Sequence, residues 1–269
     1  MPPGSIMKTI SESSPAEIYD QLFVPALFAQ WGPAMAAAAD VRLGDRVLDV
    51  ACGTGALTLA VAEVVGPHGS SVGLDPNPEM LAVAKRKHSQ IEWVEGKAEA
   101  LPMANASFDA VVSQFGLMFF RDRVVALREM MRVLRPGKRL AVAVCDAVEN
   151  SAGYAAFARL LDDLFGPTVG ASFRAPFALG DSERLLEIAD EAGVPNAQVM
   201  RRVGQVRFES INAMISAERA CAWTLGGVLH NDQFALLLGE AEKALRSFVT
   251  ADGSIMFDIP VLILTAEKA

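Results

Sequence analysis

Between residues 46 and 145 the chain alternates short, unbroken apolar runs with longer stretches in which apolar residues recur every three or four positions. Unbroken runs suit strands covered on both faces, and the longer spacing is that of an amphipathic helix. The pattern predicts strands over 46–50, 71–74, 91–94, 108–113 and 139–145. It predicts helices over 56–65, 78–88 and 124–134, the last ended by Pro136-Gly137. Alternation of this kind implies a doubly wound, Rossmann-like α/β sheet, mostly parallel.

The flanks follow other rhythms. Over 15–39, Tyr19, Phe23 and Leu27 stand at helical spacing, with Pro25 as a kink. Beyond residue 150, Leu185, Leu186, Ile188 and Ala189 mark a helix stopped by Gly193, and 199–208 reads as a strand. The apolar positions from Phe234 to Phe248 mark an amphipathic helix, and 255–265 reads as a last strand. The expected organisation is a leader and lid helix over 1–39 and a ligand-binding core over 40–146. Residues 147–269 then form the C-terminal part of the same domain, with pocket helices and the last two strands.

Composition narrows the partners. The 269 residues carry 32 acidic and 24 basic side chains, a formal net charge of -8. Nucleic-acid binding needs Lys and Arg to replace phosphate counterions, so no nucleic-acid partner is expected. Arg201, Arg202 and Arg207 read as a solvated face. No apolar run approaches the roughly 18 residues of a spanning helix, so no membrane partner is expected either. Cys52, Cys145 and Cys221 lack metal-ligand spacing and read as buried thiols of a reducing compartment. The first residues lack a signal-peptide core and read as a disordered leader. The expectation is a soluble cytoplasmic protein, monomer or homodimer, with a small-molecule substrate and no metal.

The chemistry concentrates in Val47-Leu48-Asp49-Val50-Ala51-Cys52-Gly53-Thr54-Gly55. A strand ending in this Gly-rich turn and leading into a helix places a nucleotide-like ligand at the carboxyl edge of the sheet. Asp75 ends the second strand, where an acidic side chain can accept from ribose hydroxyls. A dinucleotide site shares that acid but has a third glycine, and here Leu57 and Thr58 follow Gly55. Asp49 beside a pyrophosphate would be repulsive; beside the sulfonium and ammonium of S-adenosyl-L-methionine (SAM) it is favourable. The turn therefore favours SAM over NAD.

VLDVACGTGALT, VGLDPNPEML, EGKAEALPMANASFDAVVSQFGLMFF and MMRVLRPGKRLAVAV, in that order, resemble the successive motifs of class I SAM-dependent methyltransferases. The likeness is to the subfamily typified by ubiquinone and menaquinone biosynthesis methyltransferases, and it covers roughly residues 40–146. The resemblance implies a seven-stranded sheet with an antiparallel last strand and a helical cover. It implies that Asp49 helps hold the methionine ammonium, with Ala51, Gly53 and the Gly55 turn along the amino-acid part. Asp75 would take the ribose, Met80 would pack on adenine, and Ala98 with Glu99 would border its edge. Gln114 and Phe115 would approach the methyl end, and Tyr19 would belong to an N-terminal lid. Where the family often has Asp, this chain has Lys97, which offers only donors. Met80, Phe115 and Tyr19 also fit a plain packing role.

The expected activity is methyl transfer to O, N or C of a small cyclic or aromatic metabolite. A SAM-binding sensor or scaffold and an NAD(P)-dependent oxidoreductase remain the alternatives. Phe165, Phe173, Phe177, Trp223 and Phe234 are candidates for an apolar acceptor cavity, and His230 for a contact with substrate. His88 reads as a helix-end residue favoured by the dipole. No residue stands out as a general base, so no catalytic residue is assigned. The stretch from Tyr19 to Trp31 and the region 150–233 are expected to form a movable cover over the methyl-transfer centre.

Overall fold

In β1 (Arg46–Val50), Val47, Leu48 and Val50 are fully buried, because helices cover both faces of the sheet. The computed structural model describes residues 14–221 and 224–269. The expected leader over 1–13 and the candidate Trp223 lie outside the described residues.

The further strands are β2 (Ser70–Asp75), β3 (Glu92–Glu95), β4 (Phe108–Gln114), β5 (Leu134–Cys145), β6 (Gln198–Phe208) and β7 (Ile255–Glu267). Among the described residues they form one seven-stranded sheet in the order β3-β2-β1-β4-β5-β7-β6. The pairings of β1 with β2 and β4, of β2 with β3 and of β4 with β5 are parallel. Strand β7 runs antiparallel between β5 and β6, as expected. The chain reverses its direction of spread between β1 and β4, so the carboxyl ends of those two strands open a crevice.

Helices Ala56–Val65, Pro78–Lys87 and Arg123–Val133 follow β1, β2 and β4 close to their expected bounds. One boundary differs. Pro136-Gly137 does not end the helix; Leu134 already pairs with Phe108, and the proline and glycine lie inside the span of β5. The register between Phe108 and Ala110 shifts there, and Gly137, at φ 72°, donates its N–H to the Lys268 carbonyl. A residue without an N–H and one in the left-handed region fit a strand where its ladder is already broken.

The N-terminal segment departs further from expectation. Ser14 and Glu17 cap the short helix Pro15–Ile18 reciprocally. The chain then widens into a π-helix, Tyr19–Phe28, tightens to a 3-10 turn, Ala29–Trp31, and continues as the α-helix Gly32–Ala38. Pro25 does not make a single kink; it sits inside the wide turns. A proline removes the i→i−4 hydrogen bond and its ring crowds that carbonyl, and wider winding relieves both effects.

Three helices had no counterpart in the sequence reading: Ala152–Phe165, Pro167–Arg174 and Ile211–Ala220. The inner face of the last, with Ile211, Met214 and Ile215, is interrupted by Glu218, which breaks the apolar stripe that periodicity seeks.

Candidate active site

The site begins where β1 ends. Ala51 adopts φ 61°, Gly53 φ 55° and Gly55 φ 87° before the helix Ala56–Val65 starts. A Cβ on Gly55 would stand 2.4 Å from the Trp93 ring, so only glycine fits there. Phe115, just past β4, also has positive φ, at 56°. Left-handed backbone at two non-glycine residues on adjacent strand ends is strain concentrated at the mouth of the crevice.

Asp75 is buried and tied to both neighbouring turns. Its Oδ2 accepts from the Gly53 N–H at 2.9 Å and its Oδ1 from the Asn77 N–H at 2.8 Å. Burial raises its pKa, and the two N–H donors pull it back. Each oxygen keeps acceptor capacity toward the cavity.

Asp49 is 2% exposed. Its Oδ2 accepts from the Thr58 hydroxyl at 2.6 Å, and its Oδ1 has no hydrogen-bond partner among the described residues. Burial pushes the carboxyl up to about 7, against the pull of Thr58. Asp49 and Gly55 stand behind the turn, whereas Ala51 and Gly53 form part of the cavity wall.

That cavity has a volume of roughly 930 Å³, within the size range of a small-molecule site. Asp75, Met80, Ala98 and Glu99 line it, with Lys97 beside them. Glu99 Oε1 accepts from the Arg121 N–H at 2.8 Å and so braces the stretch before the helix Arg123–Val133. Met80 is buried in a small cluster with Ala16 and Val83, against which Tyr19 packs. Tyr19, Gln114 and Phe115 continue the wall. The Tyr19 ring lies 3.8 Å from the space a Gly53 Cβ would fill and stacks on Phe28 at 5.3 Å. Burial holds the Tyr19 phenol far above its ordinary pKa, so it stays neutral. Gln114 Nε2 donates to the Phe28 carbonyl at 3.1 Å, while its Oε1 has no hydrogen-bond partner among the described residues. Phe115 packs on Phe28 and Trp31, with ring centroids 5.4 and 6.4 Å away.

Beyond Phe115 the wall turns aromatic. Phe173 and Phe177 line it with Tyr154, which packs edge-on against Phe177 at 5.7 Å. Phe165 and Phe234 pack in the core outside the wall. His230 is also absent from the wall; its backbone N–H donates to Gln233 at the start of the helix Asn231–Ala244. His88 does end its helix, but burial and the neighbouring Lys87 lower its pKa, outweighing the favourable dipole. Cys52 and Cys145 are buried, whereas Cys221 is half-buried; Cys145 and Cys221 both lie in the wall. The basic trio is a solvated face: Arg201 pairs with Asp146 at 2.5 Å, Arg207 with Asp252 at 2.8 Å, and Arg202 is exposed.

Glu218, Tyr154 and Cys145 belong to the site without having been singled out for it. A charge inside an apolar helical stripe was the available signal for Glu218. For the other two, only tertiary contact reveals the role.

One end of the cavity therefore offers buried carboxylates and an apolar ledge, which match a ligand with a cationic head, a diol and a flat ring. The other end is apolar, aromatic and closed by the N-terminal segment. Among the described residues no helix is long and apolar enough to cross a membrane.

Comparison with known proteins gives this geometry a context. Residues 17–175 match the family model of the ubiE/COQ5 methyltransferase family. A demethylmenaquinone methyltransferase of Staphylococcus carnosus (strain TM300) is 33% identical over 207 residues, which span 70% of this chain and 85% of that protein. A demethylmenaquinone methyltransferase of Staphylococcus aureus (strain JH9) is 36% identical over 184 residues, 62% of this chain and 74% of that one. In fold, the chain is similar to the YcgJ protein of Bacillus subtilis, with a TM-score of 0.60 at 20% identity. That alignment covers 89% of this chain and 99% of the other.

Proposed function

The chain belongs to the ubiE/COQ5 methyltransferase family, and from that premise we propose that its methyl acceptor is a reduced, hydroxylated aromatic ring of the demethylmenaquinone kind. The protein is a SAM-dependent methyltransferase acting on a small molecule. When bound, SAM supplies an electrophilic methyl group on a positively charged sulfur.

The chain's own residues hold and orient. Asp49, buried behind the glycine turn with its Oδ1 unpartnered, favours a cation in front of the turn, and that cation in turn favours its ionised form. Asp75 takes the ribose hydroxyls with the lone pairs left over from its two backbone donors. Met80, Ala98 and Glu99 frame the adenine, with the Lys97 side chain contributing only a donor. The backbone of Ala51 and Gly53 runs along the amino-acid part, and Gly55 lets the helix start close to Trp93. Gln114 and Phe115 border the methyl end, and Tyr19 covers it.

The aromatic wall of Tyr154, Phe173 and Phe177 carries the acceptor assignment. It suits a flat apolar ring, and stacking there aligns the ring with the methyl group while excluding water. Alignment of this kind is worth up to about 7–11 kcal/mol of barrier. The ring must be in its reduced form, because a quinone is itself an electrophile and has no electron pair to give.

The test is transfer of radiolabelled methyl from SAM to 2-prenyl-1,4-naphthohydroquinone kept reduced under dithionite. Label should enter the ring product, and the oxidised quinone should remain unlabelled. Absence of transfer from a protein that binds S-adenosylhomocysteine at micromolar concentration would overturn the acceptor assignment.

A further inference from the structure

Glu218 lies on the helix Ile211–Ala220, beyond residue 175 where the family match ends. Its neighbours on the inner face, Ile211, Met214 and Ile215, are apolar and buried. The carboxylate itself is 2% exposed and stands in the cavity wall, and its Oε2 has no hydrogen-bond partner among the described residues. A buried carboxyl with one oxygen unpartnered carries a desolvation cost that an apolar residue of the same volume would avoid. An enclosed, unpartnered oxygen on a side chain of the cavity wall is placed for a donor that arrives with the ligand.

We propose that Glu218 is a catalytic residue that accepts a hydrogen bond from a hydroxyl of the methyl acceptor and takes its proton during transfer. This rests on the acceptor being the hydroxylated ring proposed above. The position of Glu218 in the wall supports it. Other charged side chains of the wall, Asp75, Lys97, Glu99, Arg121 and Asp122, come from the turns after β2, β3 and β4, and Glu218 comes from the opposite cover. Tyr19 lines the same wall, within electrostatic reach of Cys221, Asp75, Asp20 and Asp49.

The groups around Glu218 leave it as the local proton acceptor. Tyr154 faces it from the helix Ala152–Phe165, and burial raises that phenol well above its ordinary value. Cys145, at the end of β5, is pushed up to about 12. Cys221 follows Glu218 on its own segment, and Tyr19 faces Cys221 from the N-terminal segment. Of the charged groups on the packed elements, Asp20 pairs with Lys87, Glu17 with Arg86, Arg207 with Asp252, Arg201 with Asp146, Lys243 with Glu240 and Arg219 with Asn231, and Arg202, Asp232 and Glu242 are exposed. Burial pushes Glu218 itself up to about 7, with Thr224 pulling the other way. A base poised there can both take and return a proton near neutrality.

In the step, the acceptor O–H bond breaks and its proton passes to Glu218. The adjacent ring carbon bonds the methyl as the S–CH3 bond breaks, its electron pair staying on sulfur. Loss of that carbon's hydrogen to water restores the aromatic ring, and the oxygen regains its proton from Glu218. The net release is one proton per methyl transferred.

The experiment compares wild type with Glu218→Gln, which keeps size and shape but cannot take a proton. S-adenosylhomocysteine affinity, measured by calorimetry, should agree within about twofold between the two, which also reports the fold. Binding of 1-naphthol to the S-adenosylhomocysteine complex is then followed by fluorescence from pH 6 to pH 8. Wild type should bind about fivefold tighter at the upper pH, where Glu218 is ionised, and the variant should show no pH dependence. With the naphthohydroquinone probe, the variant should lose about 100-fold or more in kcat. Equal pH dependence in both proteins, or no naphthol binding to the wild-type complex, would overturn the proposal. If naphthol binds as expected but the naphthohydroquinone takes no methyl, the acceptor reading fails while the hydrogen bond to Glu218 stands.

Discussion

At the scale of single residues, Asp75 joins structure and ligand. Its carboxylate holds the Gly53 and Asn77 N–H groups, so it shapes the glycine turn before any ligand arrives. Asp75→Ala should weaken S-adenosylhomocysteine binding by about 1.5–3 kcal/mol, the range for hydrogen bonds to a charged group. It should also lower the melting temperature, because two backbone donors lose their acceptor. Calorimetry and thermal denaturation on the same protein check both, and unchanged affinity would remove Asp75 from the ribose site. The place of this acid at the crevice was legible in the sequence because it ends a strand at a fixed distance from the glycines. Its second duty was not, since a side chain's backbone partners across 22 positions depend on how two turns meet.

At the scale of elements, the N-terminal segment is the part that sequence periodicity described least well. Tyr19, Phe23 and Leu27 do face inward, but through π-helical winding around Pro25 rather than one kinked α-helix. Widened turns shift the face that each side chain presents, and here they bring Tyr19 over Gly53 and the Phe28 carbonyl to Gln114. Besides this contact and the aromatic stacking at the mouth, Gln30 pairs with the Gln205 backbone, Asp20 with Lys87, and Phe23, Leu27 and Trp31 are buried, so opening of the segment requires these ties to break. Amide exchange with and without S-adenosylhomocysteine should show protection gained over Tyr19 to Trp31 together with the Gly53 turn. Protection gained by the turn alone would make this segment a fixed wall. The helix Ile211–Ala220 was missed for a related reason, because Glu218 on its inner face disrupts the stripe by which an amphipathic helix is recognised.

At the scale of the whole molecule, buried carboxyls with raised pKa values, Asp49 and Glu218 foremost and Asp75 in the same direction, set the response to pH. Asp49 and Glu218 are both pushed up to about 7, above their values in an unfolded chain. The folded state therefore holds their protons more tightly. The stability they contribute is present in full below about pH 4 and is lost as pH rises through 7. Asp109, Glu129 and Asp146 have lowered pKa values, so their contribution is lost only in more acidic solution, below the window of interest. His88, lowered by burial, opposes the trend slightly. The ligand-free protein should melt at a higher temperature at pH 5.5 than at pH 8, by roughly 2–4 °C for each kcal/mol gained. The double variant Asp49→Asn, Glu218→Gln should flatten this dependence in a scanning fluorimetry series. A wild-type melting temperature that rises from pH 5.5 to pH 8 would contradict the ionisation of these groups.

The antiparallel last strand followed from the family resemblance, while the sequence by itself determined the strands of the sheet and the elements that line the carboxyl edge. Those features rest on local order: unbroken apolar runs, a turn that only glycines permit, and acids placed at strand ends. The tertiary structure alone decided the acceptor end. Cys145 ends β5 and Tyr154 opens the helix soon after it, whereas Glu218 comes from a helix much further along the chain, and no spacing rule connects the three. They meet because β7 inserts between β5 and β6, which carries the C-terminal helices over the carboxyl edge of the sheet. There the burial that would penalise a lone carboxylate in a core leaves one unpartnered in the wall of a cavity.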